Sequence, residues 1–230
     1  MKWTSMYHKA ITFSYDDGVL QDRRFVELLN RYHLKCTFNI NSGIGPEKSQ
    51  YTFKTTSVYR IDLAELPALY FGHEVAIHSY SHPNLTALTP EAIHLELSLD
   101  KANLESLFGY KMVGMAYPFG QYNDTVVAIA KALGIRYART VENNHSFKVQ
   151  SDLLRFQPTC HHNDPLLPQL IQDFLSSDSK EPQILSIWGH SYEFDGDANW
   201  DHLEAIFRSI SNRTDVFYGT NAQVLLNVMN

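Results

Sequence analysis

Short runs of apolar and β-branched residues alternate along the chain with segments of helical spacing. The runs Ala10–Tyr15, Cys36–Ile40, Glu74–Ile77, Met112–Tyr117, Arg136–Thr140, Ile184–Trp188 and Val216–Tyr218 predict strands. Between them, Phe25, Leu28, Leu29 and Tyr32 follow the i, i+3, i+4, i+7 pattern of one helix face, as do Val126, Ile129, Ala130 and Leu133. Leu203, Ile206, Phe207 and Ile210 repeat it near the C-terminus. Thr89-Pro90-Glu91 reads as an N-cap, a first-turn proline and a dipole-compatible acid, opening a long helix that stops near Gly109. Asn123 is placed to cap the helix that ends before Gly134. Strand and helix in alternation argue for an α/β fold with mostly parallel strands, and about seven strands suffice for a barrel. Residues Asn41–Val58 form a polar insertion, and Val141–Pro165 is a second long connection. No composition shift marks a domain boundary, so residues 1–230 are read as one domain.

Bulk properties narrow the class. Hydrophobic content of 44% and charged content of 19% suit a globular chain, and the net charge of -6 gives no reason to expect nucleic acid or an anionic membrane as partner. No segment approaches the roughly 20 consecutive apolar residues of a membrane span. Met1–Met6 runs into the first strand without a signal peptide's apolar stretch, so a cytoplasmic location is the expectation. Cys36 and Cys160 are too few and too far apart to suggest a disulfide framework.

The chemistry-bearing residues cluster at strand ends. Asp16-Asp17-Gly18 closes the first strand, and its carboxylates point in opposite directions if the backbone stays extended, so the two need not share a role. By itself this tripeptide is as well explained by a turn before a helix. His78 and His82 follow the third predicted strand, and one helical turn would bring them to the same side. One carboxylate and two imidazoles form a donor set for a catalytic divalent metal with an open position for water. Ala116-Tyr117-Pro118-Phe119-Gly120 is a strand end that turns sharply, and the Phe119 N–H is a candidate oxyanion donor, with Tyr117 and Pro118 beside the substrate. Gly189-His190 ends another strand, where a histidine can protonate a leaving group and Trp188 offers an apolar wall. Cys160-His161-His162 is a further possible ligand group, and Tyr192, Glu193, Phe194 and Asp195 stand close enough to His190 to line the same mouth.

In these residues the chain resembles the polysaccharide deacetylase (NodB-homology) family of carbohydrate esterase family four. Ser14-Tyr15-Asp16-Asp17-Gly18 is similar to its T-F-D-D-G block, and His78–His82 matches H-[ST]-x-x-H. Pro118-Phe119-Gly120 resembles the P-[YF]-G core of the third block, and His190 the histidine of the last. The resemblance implies a distorted (β/α) barrel, Asp16 as general base, Asp17, His78 and His82 as metal ligands, and His190 as general acid. It implies zinc as the usual ion, with Co2+, Ni2+ or Mn2+ as alternatives. The family's third block begins with an arginine that orients the base, but Ala116 stands there, so Arg139 is the expected spatial substitute and Arg155 the second choice. No D-x-x-D-W block is present, and Trp188 replaces a leucine of the acetyl pocket. The expected activity is removal of N-acetyl groups from an amino-sugar oligo- or polysaccharide. O-acetyl esters or cyclic imides on the same barrel, and a silent carbohydrate-binding barrel, are the alternatives.

Overall fold

The computed structural model describes residues 2–47 and 51–228. In chain order the elements are β1 (Lys9–Asp16), α1 (Asp22–Arg31), β2 (Cys36–Ile40), β3 (Tyr51–Phe53), β4 (Thr56–Val58), α2 (Leu66–Leu69), β5 (Glu74–Ile77), α3 (Pro90–Phe108), β6 (Gly114–Ala116), α4 (Asp124–Ala132), β7 (Tyr137–Arg139), β8 (Cys160–His161), α5 (Leu167–Ser176), β9 (Gln183–Gly189), α6 (Tyr192–Gly196), α7 (Trp200–Ile210), β10 (Val216–Tyr218) and α8 (Asn221–Leu225). The main sheet runs β7-β6-β5-β2-β1-β9-β8, with β10 also paired to β1. Every pairing in it is parallel.

The expected strands are all present, although Met112–Tyr117 and Arg136–Thr140 shorten to Gly114–Ala116 and Tyr137–Arg139. Two connections are more ordered than the sequence pattern predicts. The 41–58 insertion contains the antiparallel β3–β4 hairpin, and the 141–165 connection contains β8. Strands of two or three residues are too short to show a period. The capping signals hold: Thr89 and Asn123 accept N–H bonds from Ala92 and Val126, and Gly109 ends α3 in the left-handed region.

Alternation along β1 explains the curl. Ile11, Phe13 and Tyr15 face the helices, where Phe13 meets Phe207 of α7 at 5.2 Å and Tyr15 meets Phe25 of α1 at 4.0 Å. Thr12, Ser14 and Asp16 face the other way and are equally buried. Arg139 reaches Ser14 and Asp16 from β7, although β6, β5 and β2 lie between. Only a strongly curled sheet brings those strands together across its concave face. The edges are bridged by one stretch of chain: Phe156 bonds to Ala138 and Thr140, and Thr159 and His162 bond to Ser186 and Trp188. The result is a distorted barrel with an apolar outer face and a polar inner column. No described helix is long and apolar enough to cross a membrane.

Candidate metal and catalytic site

Because the sheet is parallel, the ends of β1, β5, β6 and β9 open at one mouth. A cavity of about 680 Å³ lies there, lined by Asp16, Asp17, Tyr51, Arg60, His78, His82, Tyr117, Phe119, Trp188, His190 and Tyr192, among others. Thus most of the predicted residues converge. Pro118 is the correction: it is buried and does not line the cavity. It opens the 3₁₀ turn that carries Phe119, at φ 56°, out to the rim.

Asp16 is the last residue of β1 and is held from behind. Arg139 donates to one carboxylate oxygen through Nη2 and to Ser14 Oγ through Nε at 3.1 Å. Asn39 of β2 donates to the other oxygen at 2.8 Å. Burial pushes the Asp16 carboxyl up, but Arg139, His78 and His190 outweigh it and leave the pKa below the usual value. Arg155, the second choice for this duty, instead pairs with Asp124 and Asp152.

Asp17 leaves the strand at φ 88°, so its carboxylate departs from that of Asp16. Arg60 Nη2 lies 2.9 Å from Asp17 Oδ1, and Tyr51 donates to Oδ2 at 3.2 Å. Against the cost of burial, chiefly Arg60 and then the three site histidines hold this carboxyl well below the usual range. Arg60 and Tyr51 had no signal in the sequence. Arg60 arrives because the segment after β4 runs beside Gly18–Leu20, through Leu20 N–H to Tyr59 O and Ile61 N–H to Gly18 O, and Tyr51 of β3 comes with it, paired to Val58.

The two histidines meet without the helical turn expected of them. Residues 78–82 form an irregular loop in which Ser79 and His82 have φ of 64° and 58°. The 41–43 segment supports it: Asn41 donates to the carbonyls of His78 and Ser79, and Gly43 N–H to that of Tyr80. A Cβ on Gly43 would lie 2.5 Å from the Tyr80 carbonyl oxygen, which is why no side chain fits there. Left-handed residues such as Asp17, Ser79, His82 and Phe119 cost about 1–3 kcal/mol each and gather where a site fixes them.

His78 is oriented by its Nδ1, 2.8 Å from the Ala116 carbonyl, which leaves Nε2 toward the cavity. Burial pushes its pKa down to about 4, so the ring is neutral at physiological pH and fit to ligate. His82 Nε2 stands 4.0 Å from Asp17 Oδ1, a span that two ligands about 2.1 Å from one ion subtend at a wide angle. The donor atoms of Asp17, His78 and His82 lie within 4.8 Å of one another, and Asp17 Oδ1 is buried with the Arg60 ion pair beside it but no hydrogen bond. These residues fit a divalent metal ion.

Across the cavity, His190 Nε2 lies 3.9 Å from Asp16 Oδ2, and its Nδ1 lies 3.0 Å from Glu193 Oε1. Burial lowers the His190 pKa, but Glu193, Asp17 and Asp16 outweigh that and raise it. Trp188 lies between this side and Arg139, whose guanidinium is 4.7 Å from its ring.

The profile of a family described as polysaccharide deacetylase matches residues 5–138. Chitin deacetylase 1 of Cryptococcus neoformans is 38% identical over 64 residues, which cover 28% of this chain and 14% of that protein. The chain therefore matches only a small part of that relative's length. Among solved structures, the Xyl-CE4 domain of a multidomain xylanase from the hindgut metagenome of Trinervitermes trinervoides aligns over 95% of this chain and 90% of its own, with TM-score 0.60 and 19% identity. A family 4 carbohydrate esterase from Streptomyces lividans, in complex with acetate, aligns over 89% and 88%, with TM-score 0.57 and 16% identity. At those identities the likeness is one of fold.

Proposed function

The chain belongs to the polysaccharide deacetylase family, and from that premise we propose that it hydrolyses acetyl groups on a carbohydrate. The preferred substrate is an N-acetylated amino sugar, cleaved to free amine and acetate. The reading rests on one observation above the others. A three-donor metal site and an ionised, arginine-backed carboxylate share one cavity with a histidine opposite.

Asp17, His78 and His82 would hold the ion, zinc in the first instance. A divalent ion bound there supplies Lewis acidity and lowers the pKa of water. Asp16 accepts the proton of the attacking water, and its low pKa keeps it free to do so. Arg139 and Asn39 fix both of its oxygens and so aim the base. The Phe119 N–H, at the rim turn, donates to the oxyanion that forms as the carbonyl is attacked. His190 gives the proton from Nε2 to the departing nitrogen, and its raised pKa favours the protonated ring that this step needs. Trp188 and Tyr117 flank the acetyl methyl, while exposed Phe119 and the rings of Tyr51 and Tyr192 offer faces for a sugar.

Acetate release from acetylated glucosamine oligomers and acetylated xylan, set beside ring opening of small cyclic imides, tests the reading. Hydrolysis of the first should exceed the others, disappear with a chelator and return with about one equivalent of Zn2+. His78→Ala and His82→Ala should each lose the metal. If both variants retain it, the site assignment is wrong. Sugar binding by the metal-loaded protein with no acetate release would instead favour a silent carbohydrate-binding barrel.

A further inference from the structure

Behind His190, one carboxylate is surrounded by three imidazoles. Glu193 Oε1 is 3.0 Å from His190 Nδ1. Its Oε2 is 3.0 Å from His161 Nε2 and 2.9 Å from His162 Nε2, both within ion-pair distance. Oε2 and His162 Nε2 are buried, and neither has a hydrogen-bond partner apart from this close approach.

The outer nitrogens of the pair decide where their protons sit. The Asn163 N–H donates to His161 Nδ1 at 3.1 Å. A backbone amide can only donate, so His161 Nδ1 is an acceptor and the ring proton lies on Nε2. His162 Nδ1 is 3.0 Å from the Tyr15 hydroxyl. A tyrosine hydroxyl, whose ordinary pKa is about 10, holds its proton at neutral pH and can donate it. Burial lowers the His162 pKa to about 4, so that ring is neutral. His162 Nδ1 is the hydrogen-bond partner of that hydroxyl among the described residues, so Tyr15 donates, and His162 also carries its proton on Nε2.

Both rings therefore present N–H groups to Glu193. The same three donor atoms of His161, His190 and Glu193 could by spacing hold a metal ion. That would require His161 to bind through Nε2 while Nδ1 accepts a hydrogen bond, leaving the ring without a proton. The packing agrees with a fixed cluster. A Cβ on Gly189, the residue before His190, would lie 2.0 Å from His162 Nδ1, so glycine is what lets the His162 ring settle under the catalytic loop.

We propose that His161 and His162 form a clamp that holds the Glu193 carboxylate, and that Glu193 in turn fixes the His190 proton on Nδ1 and aims Nε2 into the cavity. Glu193, His161 and His162 are positioning residues; none touches the reacting atoms. The inference builds on the proposed role of His190, but its test does not depend on activity.

Protein labelled with ¹⁵N in histidine, free of metal, shows by NMR which nitrogen of each ring is protonated. In the parent chain the His190 Nδ1–H should give a resolved downfield proton, with His161 and His162 protonated on Nε2. Glu193→Gln should remove the His190 signal, and His161→Ala, a milder change at a part-exposed ring, should broaden or weaken it. With the zinc enzyme, Glu193→Gln should lower kcat by about 100-fold, the scale of a misaimed catalytic group, at near-constant KM. Glu193→Asp should recover part of the loss. An unchanged His190 signal in folded Glu193→Gln overturns the proposal. So does a second tightly bound Zn2+ in the parent that is absent from His161→Ala, because the cluster would then be a metal site. Absence of acetate release with the NMR pattern intact would sink the deacetylase reading and leave the clamp standing.

Discussion

Asp16 and Glu74 line the same concave wall, both nearly sealed from water, but at opposite ends of parallel strands. Asp16 meets a guanidinium and two imidazoles. Glu74 meets only neutral donors: Thr37 Oγ1 at 2.7 Å, the Tyr137 hydroxyl at 2.9 Å and the Ala222 N–H at 2.9 Å. The consequence is a pKa shift of opposite direction. Cationic partners overcome burial at Asp16 and lower its pKa, whereas at Glu74 burial prevails over the neutral donors and raises it. The mouth of the barrel thus holds carboxylates in the charged state that chemistry needs, and the floor uses a carboxyl as a multi-armed tie between β5, β2, β7 and α8. Burial does not separate a working acid from a structural one; the charge of its partners does.

The sharpest way to break this contrast is at the mouth. Asp16→Asn keeps shape and most hydrogen bonds but removes the base. Turnover should fall by about 10²–10⁴-fold, the usual worth of general-base catalysis, while metal content measured by atomic absorption stays at the parent level. A variant that keeps its turnover would return Asp16 to the same structural standing as Glu74.

The next effect is on stability. Arg139→Leu leaves the buried Asp16 carboxylate without its main counter-charge, and breaking such a pair typically costs about 3–5 kcal/mol. Urea unfolding should show that loss, and the double change Asp16→Asn with Arg139→Leu should recover a clear part of it. Additive losses would mean that the pair is not coupled, and that Asp16 owes its state to something other than Arg139.

The fold was legible because its signals are local. Seven strands, the caps at Thr89 and Asn123, and the αL glycine at 109 each depend on a few neighbouring residues. The convergence of Asp16, Asp17, His78, His82 and His190 was legible for a related reason: strand ends in a parallel barrel share one mouth, so position along the chain maps to position in space. Arg139 was found by the same rule. What stayed hidden was set by tertiary contact alone. Arg60 follows a hairpin with no strong period, and Asn39 sits in a strand whose pattern marks it only as inward. The 78–82 loop takes its shape from Asn41 and Gly43 rather than from helical spacing. Glu193 acquires meaning only when β8, two residues long, brings His161 and His162 beside it.

The smallest effect is expected at the floor, and there its sign matters more than its size. The folded-state pKa of Glu74 lies above the unfolded value of about 4.3. Between those two values the folded chain holds a proton that the unfolded chain has released, so stability must fall as pH rises through that window. Glu74→Gln removes this titration. Its amide oxygen can keep the Thr37 and Ala222 bonds, and its NH2 can donate to the Tyr137 oxygen, so the variant should stay within about 1 kcal/mol of the parent at pH 4.5. From pH 4.5 to pH 8 the parent should lose ground to the variant in urea midpoint. Asp16 predicts the reverse slope, because a lowered carboxylate pKa contributes stability above its unfolded value and loses it as pH falls through the folded one. If Glu74→Gln instead becomes more harmful as pH rises, Glu74 is ionised in the fold. The two ends of the barrel would then hold their carboxylates in the same state, by means other than the charge of the partners seen around them.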